Sequence, residues 1–342
     1  MSILRRATSF LFCGALLCGR PASADIEMPP IGTIDFYGLR SLSESDVRRH
    51  LPFKEGDVLS DNPSPVATTS ALGVAKVVFA VVCCTTEGRT QIYVGVQERA
   101  VPEIGYSASP TGKVRLPADI LAANDRYLNA IYEAVRTGQT DEDRSQGHSL
   151  SSFAPARAEQ EVFLAFANDH RALLLDVLQN SSDAQHRAVA AQLVAYYPDK
   201  RAIVKALTRA ASDPDGSVRN NAVRALAVIA SYSIAHPELR IHIDTAPFVH
   251  LLNSIVWTDR NKGLFILDSL TAARDPRLLE SLRKEAQASL VEMCAWKGWG
   301  HAFPACQILR RVMGMPDDGD PQSRQATLDR ARSMHFGIPA IQ

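Results

Sequence analysis

Apolar and polar positions along this chain follow two different periods. From Ile31, GTIDFYG alternates with period two and places Ile34 and Phe36 on one face, as a strand does. Ser43-Glu44-Ser45-Asp46 then opens a short helix over SDVRRHLPF, with Ser and an acidic residue in capping-box spacing. KEGD reads as a turn and PSPVATTSALGVAK as a second, weaker helical stretch. KVVFAVVCCTT and TQIYVGVQE follow as β-branched strands joined through Glu87-Gly88. The order is strand, helix, helix, strand, strand. From Arg157 onward the period becomes helical: Leu173, Leu174, Val177 and Leu178 mark one stripe, Ile203, Ala206, Leu207 and Ala210 another. Between these blocks, VPEIGYSASPTGKVRL at 101–116 has no period and reads as a linker. PADILAANDRYLNAIYEAVRTG reads as a helix, and TDEDRSQGHSLSSFAP as an exposed polar loop. The pattern divides the chain into a leader at 1–24, a small α/β domain at 25–100, a connecting region with one helix at 101–156, a helical domain at 157–333 and a tail at 334–342.

One helical phrase recurs. DAQHRAVAAQLVAYY at 183–197 is rewritten as DPDGSVRNNAVRALAVIA at 213–230. Aligning Asp183 with Asp215 brings Arg187 onto Arg219, Ala190 onto Ala222 and Leu193 onto Ala225. TDRNKGLFILDSL supplies a third copy from Asp259, with Lys262 in the basic position. Each copy is followed by a second helix: DKRAIVKALTRAA, APFVHLLNSIV and DPRLLESLRKEAQASLVEM. An Asp at the start caps a helix and suits its positive end. Small Ala positions let neighbouring helices approach closely. A single helix pair cannot bury its own apolar stripe, so such copies stack into a solenoid.

The N-terminal block, with Gly38 after its first strand, Gly56 after its first helix and Val96-x-Glu98 at its end, resembles a POTRA domain. POTRA is the polypeptide-transport-associated module of outer-membrane assembly and secretion proteins. The resemblance implies a module that adds a client strand to its sheet edge. Such modules usually precede a β-barrel, and no barrel pattern follows here, so a barrel-assembly role is not implied. Asp-Pro-Asp-x-x-Val-Arg-x-x-Ala-x-x-Ala-Leu, from Asp213 to Leu226, resembles the short bacterial HEAT repeat. The chain as a whole is similar to exported bacterial HEAT-repeat proteins, in which segments like WTDRNK at 257–262, RDP at 274–276 and SLVEM-x-x-WK at 289–297 are expected. The fold class these resemblances imply is α+β: a small POTRA-like βααββ domain followed by an all-α HEAT-like solenoid. They bring no activity, and imply binding along a concave face lined by second helices.

Composition adds compartment and subtracts some partners. A chain of 342 residues with 46% hydrophobic content has ample material for two or three cores. Lys plus Arg equals Asp plus Glu at 37 each, so no global field draws the protein to nucleic acid or to an anionic membrane. Arg5 and Arg6, the apolar run ATSFLFCGALLCG and Pro21-Ala22-Ser23-Ala24 read as a secretory signal peptide cleaved after Ala24. Leu17 before Cys18 argues against a lipid anchor, since that position calls for a small residue. No later segment reads as membrane-spanning, so the expected location is periplasmic or secreted.

Complete chemical motifs are lacking. Ser281-x-x-Lys284 has no S-D-N or K-T-G companion, Gly105-Tyr-Ser-Ala-Ser109 misses a nucleophile elbow's last glycine, and Gly112-Lys113 lacks a phosphate loop's upstream glycine. His148, beside Ser149 and Ser151, reads as a solvated loop histidine; His242 and Asp244 lack a third metal ligand at fixed spacing; His250 reads as a core or surface histidine, and Trp296 and Trp299 as core caps. No catalytic, cofactor-binding or metal residue is assigned, and no cofactor is expected. Arg201, Lys205 and Arg209 share the face opposite Ile203, Ala206, Leu207 and Ala210, and Arg277 and Lys284 take the comparable face later. These five are the candidate partner-binding residues, either receiving an acidic protein segment or forming a solvated stripe. Cys83 and Cys84, neighbours in a strand, would point to opposite faces as small buried residues. A helix over LLESLRKEAQASLVEMCAWK, stopping at a left-handed Gly298, would put Cys294 one turn before a corner. A helix resuming near His301 with Pro304 in its first turn would put Cys306 one turn after it, where a disulfide competes with two buried thiols. The function expected is an exported, non-catalytic adaptor or scaffold for a protein partner. Its rivals are an envelope enzyme with a dispersed active site and a purely structural envelope protein.

Overall fold

Why a sheet that reads as one-sided is buried on both faces is the first thing the structure explains. It is a computed structural model describing residues 28–59, 61–85, 87–334 and 336; the leader expected at 1–24 lies outside the described residues, as does most of the tail. The first elements are β1 (Ile31–Tyr37), α1 (Glu44–Arg48), α2 (Val66–Leu72), β2 (Lys76–Val82) and β3 (Thr90–Gln97). Ser43 and Asp46 cap α1 reciprocally. The sheet order is β1-β3-β2, with β1 parallel and β2 antiparallel to β3. Ile34, Phe36, Ile92, Val94 and Val96 build one core with Val47, Phe53, Val74 and Val77.

The other face carries Asp35, Tyr37, Gln91 and Tyr93, and all four are buried too. The chain packs as two units, one of residues 105–248 and one joining residues 28–104 to those from 249 onward. Within the second unit Tyr93 meets Trp257, Trp296 and His301, with ring centroids 5.1, 4.8 and 5.6 Å away. Asp35 accepts the Lys297 N–H at 3.0 Å. The small domain expected at 25–100 therefore shares its core with the end of the chain. The aromatic rings on its second face need apolar cover that its own two helices do not supply.

Residues 105–248 hold α3 (Ala118–Arg136), a hairpin of β4 (Glu142–Asp143) and β5 (Leu150–Ser151), α4 (Ala154–Asp169), α5 (Arg171–Asn180), α6 (Ala184–Val194), α7 (Arg201–Ala210) and α8 (Gly216–Ala235). Asp183 and Asp215 each accept two backbone N–H groups at the starts of α6 and α8. Ala188, Ala190 and Ala191 on α6 and Ala222 and Ala225 on α8 are buried, and the two helices pack together. The arginines of the repeated phrase are buried as well. Arg187 forms a two-bond pair with Asp213, at 2.8 and 2.9 Å, and donates to the Ser181 carbonyl. Arg219 donates to the carbonyls of Asp213 and Pro214. The region 101–156 is not the linker and open loop its composition suggests. Ile120, Ala123, Tyr127, Ile131 and Ala134 of α3 are buried, and so are all of Gly147 to Ser151.

The remaining helices are α9 (Ala246–Leu251), α10 (Trp257–Thr271), α11 (Pro276–Glu285), α12 (Gln287–Cys294), α13 (Trp299–Val312) and α14 (Arg324–Ser333). The third copy is in a different register from the one expected. Val256 precedes α10 as its cap residue, Asp259 sits in the first turn, and Arg260 rather than Lys262 takes the arginine's role. Its Nε donates to the carbonyl of Ser254, six residues back, just as Arg187 reaches Ser181 and Arg219 reaches Asp213. The helix expected over 278–297 is interrupted at Ala286, where φ is −129°. Gly298 is not left-handed: its φ is −68° and it precedes α13, and a Cβ there would lie 2.1 Å from the Gln91 Oε1. A side chain there would have to displace the Gln91 amide, so what glycine offers at this position is space and not a special conformation. Pro304 falls inside α13 rather than in its first turn. The Cys294 and Cys306 sulfurs are 2.06 Å apart, with Cα atoms 4.7 Å apart. Cys83 and Cys84 lie just beyond β2, half-buried, and pair with each other. The alternation that would separate them holds only inside a strand.

Candidate partner-binding surface

On α7 the apolar positions Ile203, Val204, Ala206, Leu207 and Ala210 are buried, which turns Arg201, Lys205 and Arg209 to solvent. Four-residue steps set consecutive side chains about 6 Å apart along one face. None of the three forms an ion pair among the described residues. Arg277 and Lys284 are exposed on α11 in the other unit, and the Lys284 Nζ lies 3.4 Å from Glu280. The α7 cations thus stand as an unneutralised row, whereas α11 carries its own counter-charge.

Two buried polar clusters escaped the sequence reading. In the first, Glu142 of β4 pairs with Arg224 of α8 and Arg144, and Ser149 donates to it. Burial works to raise the Glu142 carboxyl, but Arg224 and Arg144 outweigh it and hold it below its usual range. Gln160 bonds the Ser151 N–H, the Ser149 carbonyl and the Tyr196 hydroxyl, fastening the hairpin to α4. His148, expected in solvent, is 7% exposed. Its Nδ1 lies 3.2 Å from the Lys200 Nζ, which donates to the carbonyls of Ala195 and Tyr197 at 2.8 Å each. Desolvation, then the Lys200 charge, lowers His148 to about 4, and desolvation lowers Lys200 to about 8. Lys200 has all three protons engaged, so it secures the end of α6 rather than offering a nucleophile. A serine- and acid-rich stretch hid this, because its polar groups are satisfied by partners distant in sequence.

The second cluster surrounds Tyr93. Its hydroxyl proton is given to the Gln91 Oε1 at 2.9 Å, so the 2.7 Å contact with His301 uses the ring's own Nδ1–H. The His301 Nε2 is then a bare acceptor, and in its buried position it has no hydrogen-bond partner among the described residues. Desolvation, then the Lys262 charge, lowers His301 to about 4. Nearby, Arg260 lies 4.7 Å from the Tyr37 ring centroid and pairs with Glu292, which also meets Arg40. The tyrosine hydroxyl donates to the Ile255 carbonyl at 2.6 Å. His242, Asp244 and His250 are exposed, and Asp244 accepts the Ala246 N–H ahead of α9. Trp296 is buried and Trp299 half-buried. Among the described residues, no group of three or more His, Cys, Asp or Glu side chains could hold a metal.

A family model described as HEAT repeats matches residues 172–248, which include α6, α7 and α8. This stretch is HEAT-like. The HEAT-like helices carry both the α7 row and the Arg187–Asp213 pair, so the basic row belongs to a repeat rather than to an isolated helix. No curated protein matches the chain significantly. Among solved structures the chain is similar to an engineered protein at 19% identity and a TM-score of 0.36, over 54% of this chain and 81% of that one. No helix among the described residues is long and apolar enough to cross a membrane.

Proposed function

We propose that the protein is an exported, non-catalytic scaffold whose HEAT-like helices bind the acidic segment of a protein partner. The observation that carries this reading is the row Arg201, Lys205 and Arg209, exposed on the second helix of a repeat and without ion-pair partners among the described residues. Export rests on the leader at 1–24, with the mature chain beginning at Asp25. Cations spaced about 6 Å apart match acidic side chains on alternate residues of an extended peptide, which repeat at about 6.6 Å.

The small sheet supports a second contact of the POTRA kind. The outer edge of β1 is occupied: Ile31 pairs with Gly56 and Asp57, and the Ile34 carbonyl accepts from Arg48 and Lys297. On β2, the Val77 N–H points away from β3 to the Thr69 hydroxyl, so Phe79 and Val81 also turn their main-chain groups outward. Beyond Thr69 that edge carries no further main-chain partner among the described residues, which suits addition of a client strand.

The test uses chain recovered from the periplasm after expression with its leader, and a labelled extended peptide with Glu at alternate positions. Binding should weaken as salt rises and fall about tenfold or more in the double variant Lys205→Glu, Arg209→Glu. Equal binding by both proteins would eliminate the α7 row as the site. Retention of the precursor in the cytoplasm would separately overturn export.

A further inference from the structure

Residues 105–116, aperiodic in sequence, run extended along the loops that precede α6 and α8. The Gly112 N–H donates to the Asn180 carbonyl at 2.8 Å, and the Ser182 N–H returns a bond to the Gly112 carbonyl at 2.7 Å. Together these form a parallel bridge between Gly112 and Ser181. The Ser107 N–H donates to the Ser212 carbonyl at 2.7 Å, and the Leu116 N–H to the His186 Nδ1 at 2.8 Å. Two side chains are read as well. The Arg219 guanidinium lies 3.8 Å from the Tyr106 ring centroid, and Arg115 bonds the Ser181 hydroxyl at 3.0 Å beside Asp183. At Gly112 a Cβ would lie 2.4 Å from the Asn180 carbonyl oxygen, so only glycine fits.

We propose that this loop edge is a peptide-recognition track of the HEAT-like repeats, and that residues 106–116 are its built-in occupant. Its ligand class is an extended peptide carrying an aromatic residue, a glycine six positions on and an arginine three positions after that. A second copy of the seat supports a recognition element rather than incidental packing. In the other unit Arg260 underlies Tyr37, whose hydroxyl bonds the Ile255 carbonyl, again at the loop before the arginine's helix. The occupant is also separable from the core. Ser107, Ala108, Ser109, Thr111, Lys113 and Arg115 are exposed, Tyr106, Pro110, Gly112 and Val114 are half-buried, and only Leu116 is fully buried. Edge hydrogen bonds, the cation–π contact of Tyr106 and the Arg115–Asp183 ion pair help to hold the segment, and a matching peptide can reproduce each of these. This track is distinct from the α7 row and does not depend on it.

The probe is a labelled synthetic peptide of residues 105–117, tested by fluorescence anisotropy on the full mature chain. Gly112→Val should expel the resident segment, and this variant should bind the peptide about tenfold or more tightly than the parent does. Replacing the tyrosine of the peptide by alanine should weaken that binding about fivefold. Equal affinity for parent and variant, or no binding by a variant that still melts cooperatively, would overturn the proposal. If Gly112→Val does not fold, Tyr106→Ala in the chain serves instead, since it weakens the resident segment without filling space. It too should bind the peptide more tightly than the parent, and unchanged binding would refute the track.

Discussion

Replacing Arg187 by Met tests whether one HEAT-like copy completes the next. The guanidinium is 2% exposed and Asp213 is 7% exposed, with two parallel bonds between them and a third from Arg187 to the Ser181 carbonyl. Asp213 precedes α8 and also accepts the Asp215 N–H at 2.8 Å. Removing only the cation leaves a buried carboxylate without its counter-charge, which costs about 3–5 kcal/mol when a buried pair is broken. Asp213→Asn keeps an acceptor for the Asp215 N–H but strands Arg187, and should cost about 3 kcal/mol. The double variant carries no unpaired charge, so its loss should fall short of the sum by about 2 kcal/mol or more. Urea unfolding of all four proteins at pH 7 closes the cycle. Arg136→Ala supplies the contrast, because its i,i+3 pair with Glu133 is largely exposed and screened by solvent. The reasoning fails if Arg187→Met costs no more than Arg136→Ala, or if the two single losses simply add.

Two further outcomes follow from the second unit. His301 is held near 4 against an ordinary 6.5, so the fold favours its neutral form. That contribution is fully present above pH 6.5 and is lost as pH falls toward 4, up to about 3 kcal/mol in all. His301→Gln should therefore flatten the loss of stability between pH 6.5 and 4 relative to the parent, and identical slopes in acid titrations of urea stability would contradict this. With Cys294 and Cys306 bridged, the denatured mature chain kept unreduced should titrate no more than two thiols, and four would rule the bridge out. Replacing both cysteines by alanine should lower stability by about 3 kcal/mol for a loop of this length.

Local patterns in the sequence determined the elements with strong local causes. Period two over Ile31–Tyr37, the Ser43–Asp46 box and the Asp183 and Asp215 caps act within a few residues, and the structure forms each where the sequence places it. The candidate row Arg201, Lys205 and Arg209 was legible for the same reason, since helical spacing fixes which residues share a face. Register in the third copy was not: Asp259 resembles a cap, yet the arginine's reach to Ser254 sets the alignment, and that depends on where the loop turns. His148 was misread because polarity along the chain does not reveal satisfaction across it; Lys200 lies 52 residues away. For residues 105–116, the absence of a period correctly excluded helix and strand pairing within the segment, but could not disclose the carbonyls of Asn180 and Ser212 that receive it. The sequence by itself thus determined helices, strands, caps and exposed faces, whose causes lie within a turn or a strand of each residue. Only the tertiary structure decided which face of the small sheet is covered and which arginines are buried. Those outcomes depend on apolar and hydrogen-bonding partners that chain folding brings from tens to hundreds of residues away.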